Sequence, residues 1–323
     1  MKKNASNKST KKAPAAQAGV AASPAFFRYR YLMGAMQQNQ LAMTVRLSCV
    51  PDDVNLLPEI IQAWGKASAR MVELTREEAG APDEIVIDDV PATLRSRLDE
   101  INNDSLFRAS FSDMPTGFQV VDIDKLVAPQ RDVNLDYVDT LRKRIPGKSV
   151  KDLLEFCVGP RTEPPELKVL QTALNTMTFS SRSLDLRFLG GFPKPISEDD
   201  IKVAYGGGQP AEVVTLLIGY GAAPINAWLV GRRLVLGNGF HRIVAMRLEG
   251  ILQVPIVVKR VSNADIEFPD QVLGLSRAYL LGSPRPVLVK DFFDNVLTVE
   301  LKLKPRRKVL KIAWGQEDSV VPD

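Results

Sequence analysis

The spacing of apolar residues changes period part-way along this chain. Over residues 54–78, Leu57, Ile60, Trp64, Ala67, Met71 and Leu74 recur at intervals of three and four. That spacing predicts a helix with one apolar stripe. Residues 92–107 predict a second helix through Leu94, Leu98, Ile101 and Leu106, and Pro82 and Pro91 interrupt the chain between the two. From Phe118 the period becomes two. FQVVDIDKLV alternates apolar and polar residues as a half-buried strand does. Asn134 then stands where a helix N-cap belongs, with Asp136 suited to the positive first turn. Leu135, Val138, Leu141 and Ile145 form that helix's apolar face, and Pro146-Gly147 ends it.

Residues 148–210 read as an insertion. A helix is predicted around 166–178, followed by FLGGFPKP and AYGGGQP, both rich in turn residues. EVVTLLI at 212–218 is helix or strand by length alone. Ile225–Val230 and Arg233–Leu236 read as two strands joined tightly at Gly231-Arg232. Gly237-Asn238-Gly239 makes a sharp turn into a helix over Phe240–Glu249, which Gly250 closes. Val254–Val261 is a further strand. Near the end, Val299–Lys304 alternates like a strand, and Val309–Ala313 is expected to pair back on it as a hairpin. Ahead of all this, the aromatic stretch Phe26, Phe27, Tyr29, Tyr31 predicts an N-terminal arm docked on the domain. Stacking on bases through Arg28 and Arg30 is its alternative.

Charge and rare residues narrow the chemistry. The formal net charge is +4, but Lys2, Lys3, Lys8, Lys11 and Lys12 sit in the first nineteen residues without an acid. Without that tail the remainder is at −1, so the body carries no global argument for nucleic acid. Residues 1–24 read as a disordered basic tail. Cys49 and Cys157 lie far apart without metal-ligand spacing, and two buried thiols are expected. His241 is the sole histidine, which rules out two-histidine metal motifs. No apolar run approaches the roughly 18 residues of a membrane helix, and no signal-peptide core is visible. A cytoplasmic protein is expected.

A glycine turn feeding a helix suits an anion. The first helical amides lack intrahelical acceptors, and the helix dipole favours negative charge. Gly237 and Gly239 permit close approach, Asn238 lies between them, and His241 and Arg242 add side-chain donors. The plainer alternative is a strand-to-helix connector with a satisfied, partly buried histidine and a surface or salt-bridged arginine.

The stretch GNGFHRIVAMRLEGILQVPIVV resembles the glycine-x-His-Arg signature of the ParB/sulfiredoxin superfamily. Ala245, Gly250 and Pro255 follow in the family's order, and Pro224-Ile225 matches its usual Pro-Ile pair. VVDIDKLVAPQRDVNLDYVDTLRKRI resembles its opening strand, Gln-Arg turn and helix. The resemblance spans roughly residues 118–261. It implies an α+β, mixed-sheet fold and a phosphate site at Gly237, Asn238, Gly239, His241 and Arg242, faced by Gln130 and Arg131. It also implies a bacterial-type DNA-metabolism role, partition-like or nuclease-like, and a nucleoside triphosphate with Mg²⁺ as the cofactor class. His241 and Arg242 would then be the catalytic candidates, for phosphodiester hydrolysis or phosphoryl transfer. Phe240 stands where sulfiredoxins place their catalytic cysteine, so sulfiredoxin activity is not expected. The partition proteins' later motif and helix-turn-helix are not evident in residues 262–323.

Two features stay outside that site. Lys302, Lys304, Arg306, Arg307 and Lys308 crowd the predicted C-terminal hairpin, suggesting either nucleic-acid contact or an edge strand guarded by lysines. Asp122, Asp124, Glu198, Asp199, Asp200 and Glu212 are not selected by spacing for metal or base chemistry. The expected layout is a basic tail (1–24), a helical layer (25–115), the mixed-sheet domain (116–261) and a C-terminal extension (262–323). The expected partner is a nucleotide or DNA, with a protein partner or homodimer also open and no membrane. Two alternatives remain open: a non-catalytic interaction module that keeps the fold, and a small-molecule kinase of the same superfamily.

Overall fold

The computed structural model describes residues 25–159, 165–183, 185–202, 210–221 and 223–319. The basic tail and nearly all of AYGGGQP lie outside them. The chain opens with β1 (Phe27–Tyr31), followed by α1 (Gln38–Ser48), α2 (Pro51–Asn55) and α3 (Leu57–Glu77). The stripe that predicted α3 is buried at Ile60, Ala67 and Leu74. After β2 (Ile87–Asp89), the second predicted helix is cut into α4 (Arg95–Asn103) and α5 (Ser105–Phe111). Asp104 causes the break. Its carboxylate accepts the amides of Leu106 and Phe107, the geometry of a new N-cap.

Next come β3 (Thr116–Asp122), β4 (Asp132–Asn134), α6 (Leu135–Arg142) and α7 (Val150–Val158). Asn134 caps α6 as its position predicts, accepting from the amide of Tyr137. α7, within the stretch read as an insertion, packs into the main core. Leu153, Phe156 and Cys157 are buried in the main core, because their spacing lets one face pack there. Beyond Gly159 lie β5 (Lys168–Ala173), β6 (Thr176–Ser181), β7 (Leu186–Lys194), α8 (Glu198–Lys202) and β8 (Val213–Tyr220). The helix expected at 166–178 is therefore a β-hairpin. Thr172, Thr176 and Thr178 favour extended backbone, and the Thr172 and Thr178 hydroxyls bond to each other at 2.9 Å.

The remainder holds β9 (Asn226–Val230), β10 (Arg233–Asn238), α9 (Phe240–Leu248) and β11 (Gln253–Val261). Then follow α10 (Ala264–Glu267), β12 (Gln271–Val272), β13 (Leu275–Ser276), α11 (Arg277–Gly282), β14 (Val299–Leu303) and β15 (Lys308–Ala313). The main sheet has the order β10-β9-β11-β3-β2. β11 runs antiparallel to β3 and parallel to β9, so the sheet is mixed. Its run Val254–Lys259 is buried on both faces, which explains why it reads as continuous rather than alternating. Pro255 pairs across to Val120 but lies ahead of the stretch joined to β9, where its missing N–H breaks no ladder on that side.

A second sheet, β14-β1-β4, docks the aromatic arm. Tyr29 and Tyr31 are buried in one cluster with Met36, Leu41, Val45, Ile60, Leu301 and Leu303. The N-terminal helices therefore share a core with the C-terminal strand. The expected C-terminal hairpin does not form. β14 pairs with β1, and β15 pairs with β6 in the sheet β15-β6-β5. The physical reason is competition: each strand finds a more distant edge, with Leu301 and Leu303 buried against the arm. No helix among the described residues is long and apolar enough to cross a membrane.

Candidate functional site

The GNGFHR stretch begins at a register shift in the β10–β9 pairing, between Leu236 and Asn238. Gly239 adopts φ +95, a left-handed conformation that turns the strand into α9 and that side chains rarely adopt. The space beside both glycines belongs to the neighbouring strand region. A Cβ on Gly237 would lie 2.5 Å from Asn226 Oδ1 and 3.0 Å from the Trp228 ring. One on Gly239 would lie 2.6 Å from the Ile225 side chain. The glycines thus let the turn pack on residues 225–228, before any ligand is considered.

His241 faces the β4–α6 corner. Its Nε2 accepts the backbone N–H of Asn134 at 3.2 Å, so the proton of the neutral ring sits on Nδ1. Tyr137 packs on the ring, with centroids 5.3 Å apart. Burial pushes the His241 pKa down to about 4, against the opposing pull of the Asp185 carboxylate. The ring is therefore uncharged at neutral pH, with its basic nitrogen already hydrogen-bonded. Proton abstraction by Nε2 requires that bond to break.

Arg242 points to carbonyl groups. Its Nη1 donates to Phe156 O at 3.1 Å and Cys157 O at 2.9 Å, and its Nη2 donates to Ala223 O. The first two acceptors lie in the last turn of α7, where the helix dipole favours a cation. Burial lowers the Arg242 pKa, and Cys157, Tyr137 and Asp185 oppose that shift electrostatically. His241 matches the plainer alternative, whereas Arg242 bonds to carbonyls in place of the surface or salt-bridge role that alternative gave it. His241 braces α9 to α6, and Arg242 caps α7. The remaining anion donors are the first amides of α9, those of Phe240 and His241, which have no acceptor within the helix.

Gln130 and Arg131 do not line this turn. They line a cavity of about 390 Å³ with Gly34, Gln40, Met71 and Tyr279. Arg131 Nη1 donates to Gln40 Oε1 at 3.2 Å, while its buried Nε has no partner among the described residues. The turn before β4 is held to the N-terminal arm, where the Leu32 amide donates to Arg131 O at 2.9 Å and β4 pairs with β1.

The basic cluster is divided. Lys302, Lys304, Arg307 and Lys308 are exposed; Lys302 lies in β14 and Lys308 in β15, which belong to different sheets, and Lys304 and Arg307 lie in the connection between them. Arg306 turns inward, with its guanidinium 4.4 Å from the Tyr29 ring centroid and 4.0 Å from Asp132. Tyr29 also accepts from Asn134 Nδ2 at 3.3 Å. Asn134 therefore joins His241 to the tyrosine–arginine cluster. Sequence reasoning identified Asn134 only as a cap. Its second and third contacts come from elements distant along the chain, which no local pattern reports.

Comparison of the chain with family models, curated proteins and solved structures yields no match. Among the described residues no group of three or more His, Cys, Asp or Glu side chains is placed to hold a metal. The acid whose charge reaches His241 and Arg242 is Asp185. Its carboxylate accepts from the Gly221 amide at 2.8 Å and from Arg187. A single carboxylate already committed to these donors does not fit a Mg²⁺ site beside the turn. Cys49 and Cys157 are buried free thiols, and burial pushes Cys157 up to about 12, outside the range of a reactive thiolate.

Proposed function

We propose that this chain is a ParB/sulfiredoxin-like protein of DNA metabolism that binds the phosphate of a nucleotide or nucleic acid at the start of α9. It acts there by binding, without catalysis by His241 or Arg242. The observation that carries the reading is the β10–Gly239–α9 junction. It presents unpaired helical amides in the setting that the GNGFHR resemblance marks as a phosphate turn. The commitment of His241 to an amide and of Arg242 to carbonyls supports binding over catalysis.

Calorimetric titration of the full chain with ATP, CTP, GTP and short duplex DNA tests this. Micromolar binding of one of them is expected. Absence of heat with all four overturns the reading. Incubation of DNA with the protein and Mg²⁺ or Mn²⁺ should leave it uncut, and cleavage lost in His241→Ala would restore the catalytic alternative. A second reading, an interaction module that keeps the fold, is favoured by one observation. The described residues of 186–202 and 210–220 carry several exposed apolar side chains, among them Phe188, Phe192, Ile201 and Val214.

A further inference from the structure

The cavity beside the Gln130-Arg131 turn lies where distant parts of the chain meet. Met36 comes from the N-terminal arm, Met71 from α3, and Leu275, Tyr279 and Val287 from the C-terminal region. Its volume of about 390 Å³ falls within the usual range of small-molecule pockets, roughly 300–1,000 Å³. Met36, Met71, Leu275 and Val287 make its wall largely apolar, and Arg131, Tyr279 and glutamine side chains interrupt it. A few polar groups on an apolar wall are what fix and orient a bound small molecule.

Arg131 is the one charged residue among those lining the cavity. It forms no ion pair among the described residues. Its Nη1 reaches Gln40 Oε1 at 3.2 Å, and its buried Nε has no partner. Arg233 and Arg285, by contrast, each fork onto a carboxylate, that of Asp83 and that of Asp291. A guanidinium is a planar fork matched to a carboxylate, and the one in this cavity lacks its counterpart. Tyr279 adds a second donor. Its phenolic oxygen accepts the Val287 amide at 3.1 Å. Burial raises its pKa, so the O–H is kept, and it has no acceptor among the described residues. The start of α1 adds potential of the same sign at the rim, where Gln37 and Gln40 stand. Gln37 makes no capping bond and the first turn of α1 holds no acid, so nothing there offsets the positive end of the helix dipole.

We infer that this cavity binds a small monocarboxylate with an apolar body. The carboxylate takes the Arg131 fork and the Tyr279 hydroxyl, displacing the exposed Gln40 amide, and the body lies against Met36, Met71 and Leu275. The charge of the ligand follows from the wall. One guanidinium balances one negative charge, whereas a nucleoside triphosphate brings more than the lining neutralises. An amino acid brings an ammonium group as well, and no lining residue is acidic. The site is separate from the start of α9 and does not depend on the phosphate reading.

Calorimetric titration of the full chain with indole-3-acetate, 4-phenylbutyrate and 2-naphthoate tests the site, each acid set against its own primary amide. Submillimolar binding of at least one acid is expected, with its amide about ten-fold weaker or more. Arg131→Gln should weaken the acid about ten-fold or more, and Tyr279→Phe about three-fold or more, with circular dichroism unchanged. Inorganic phosphate in excess should not compete. No binding of any of the three acids overturns the inference. So does an amide that binds as tightly as its acid, an affinity unmoved by Arg131→Gln, or displacement by inorganic phosphate. If Arg131→Gln fails to fold, the comparison of acid with amide on the native chain decides alone.

Discussion

His241 and Arg242 show how far residue type can be separated from role. A histidine and an arginine beside a glycine turn suggest phosphate chemistry, yet both make their bonds to backbone. The histidine has a measurable signature. In the folded chain its ring stays neutral down to about 4, whereas the unfolded ring takes a proton near 6.5. Between those values the unfolded chain binds the extra proton. The stabilising contribution is therefore complete above the unfolded pKa and is lost as pH falls toward the folded one. Because His241 is the single histidine, its ring proton resonance can be followed without assignment, and it should titrate near 4. Replacing it with Gln should reduce the stability difference between about pH 7 and about pH 5 in urea melts. For Arg242→Ala, three carbonyls lose a charged donor, and a loss of roughly 2–4 kcal/mol is expected from denaturant unfolding. A side chain held ready for a ligand would instead be removable at little cost in stability.

At the scale of elements, the junctions carry the information. Gly239 is both left-handed and crowded by Ile225. Gly239→Ala should lower stability by about 2 kcal/mol or more, whereas alanine at Gly231, left-handed but with open space, should cost less. Their melting temperatures, compared directly, check the order. Asn134 is a cap whose amide also meets His241. Its replacement by Ala should cost about 1 kcal/mol for the cap. Elements with a strong period, such as α3 and α6, were legible because a repeated apolar spacing admits one face only. The 166–178 hairpin was not, since a short segment with scattered apolar residues fits either period. α5 was separated from α4 by one aspartate, a signal that is visible in hindsight as a capping residue within a helical run.

Over the whole molecule, a buried ionic cluster fastens the C-terminal region to the helical layer. Arg285 is fully buried and bonds Asp291 at 2.6 and 2.7 Å and Glu78, just beyond α3, at 2.8 and 2.9 Å. Asp291→Ala leaves much of that charge unpaired and should cost about 3–5 kcal/mol in equilibrium unfolding. An Arg285→Met, Asp291→Leu pair should recover part of the loss if packing is kept. This coupling across 207 residues explains why the layer and the extension, which look separable by composition, share one core. The chain alone determined the amphipathic α3 and α6, the β9–β10–α9 succession and the position of the glycine turn. These follow from local periodicity and backbone preference, which act over a few residues. Tertiary structure alone decided that Arg131 lines a separate cavity, that Arg306 turns inward, that β14 joins β1, and that Arg242 caps α7. Those outcomes depend on which distant edges and carbonyls come within bonding distance, and the order of residues along the chain does not encode that distance locally.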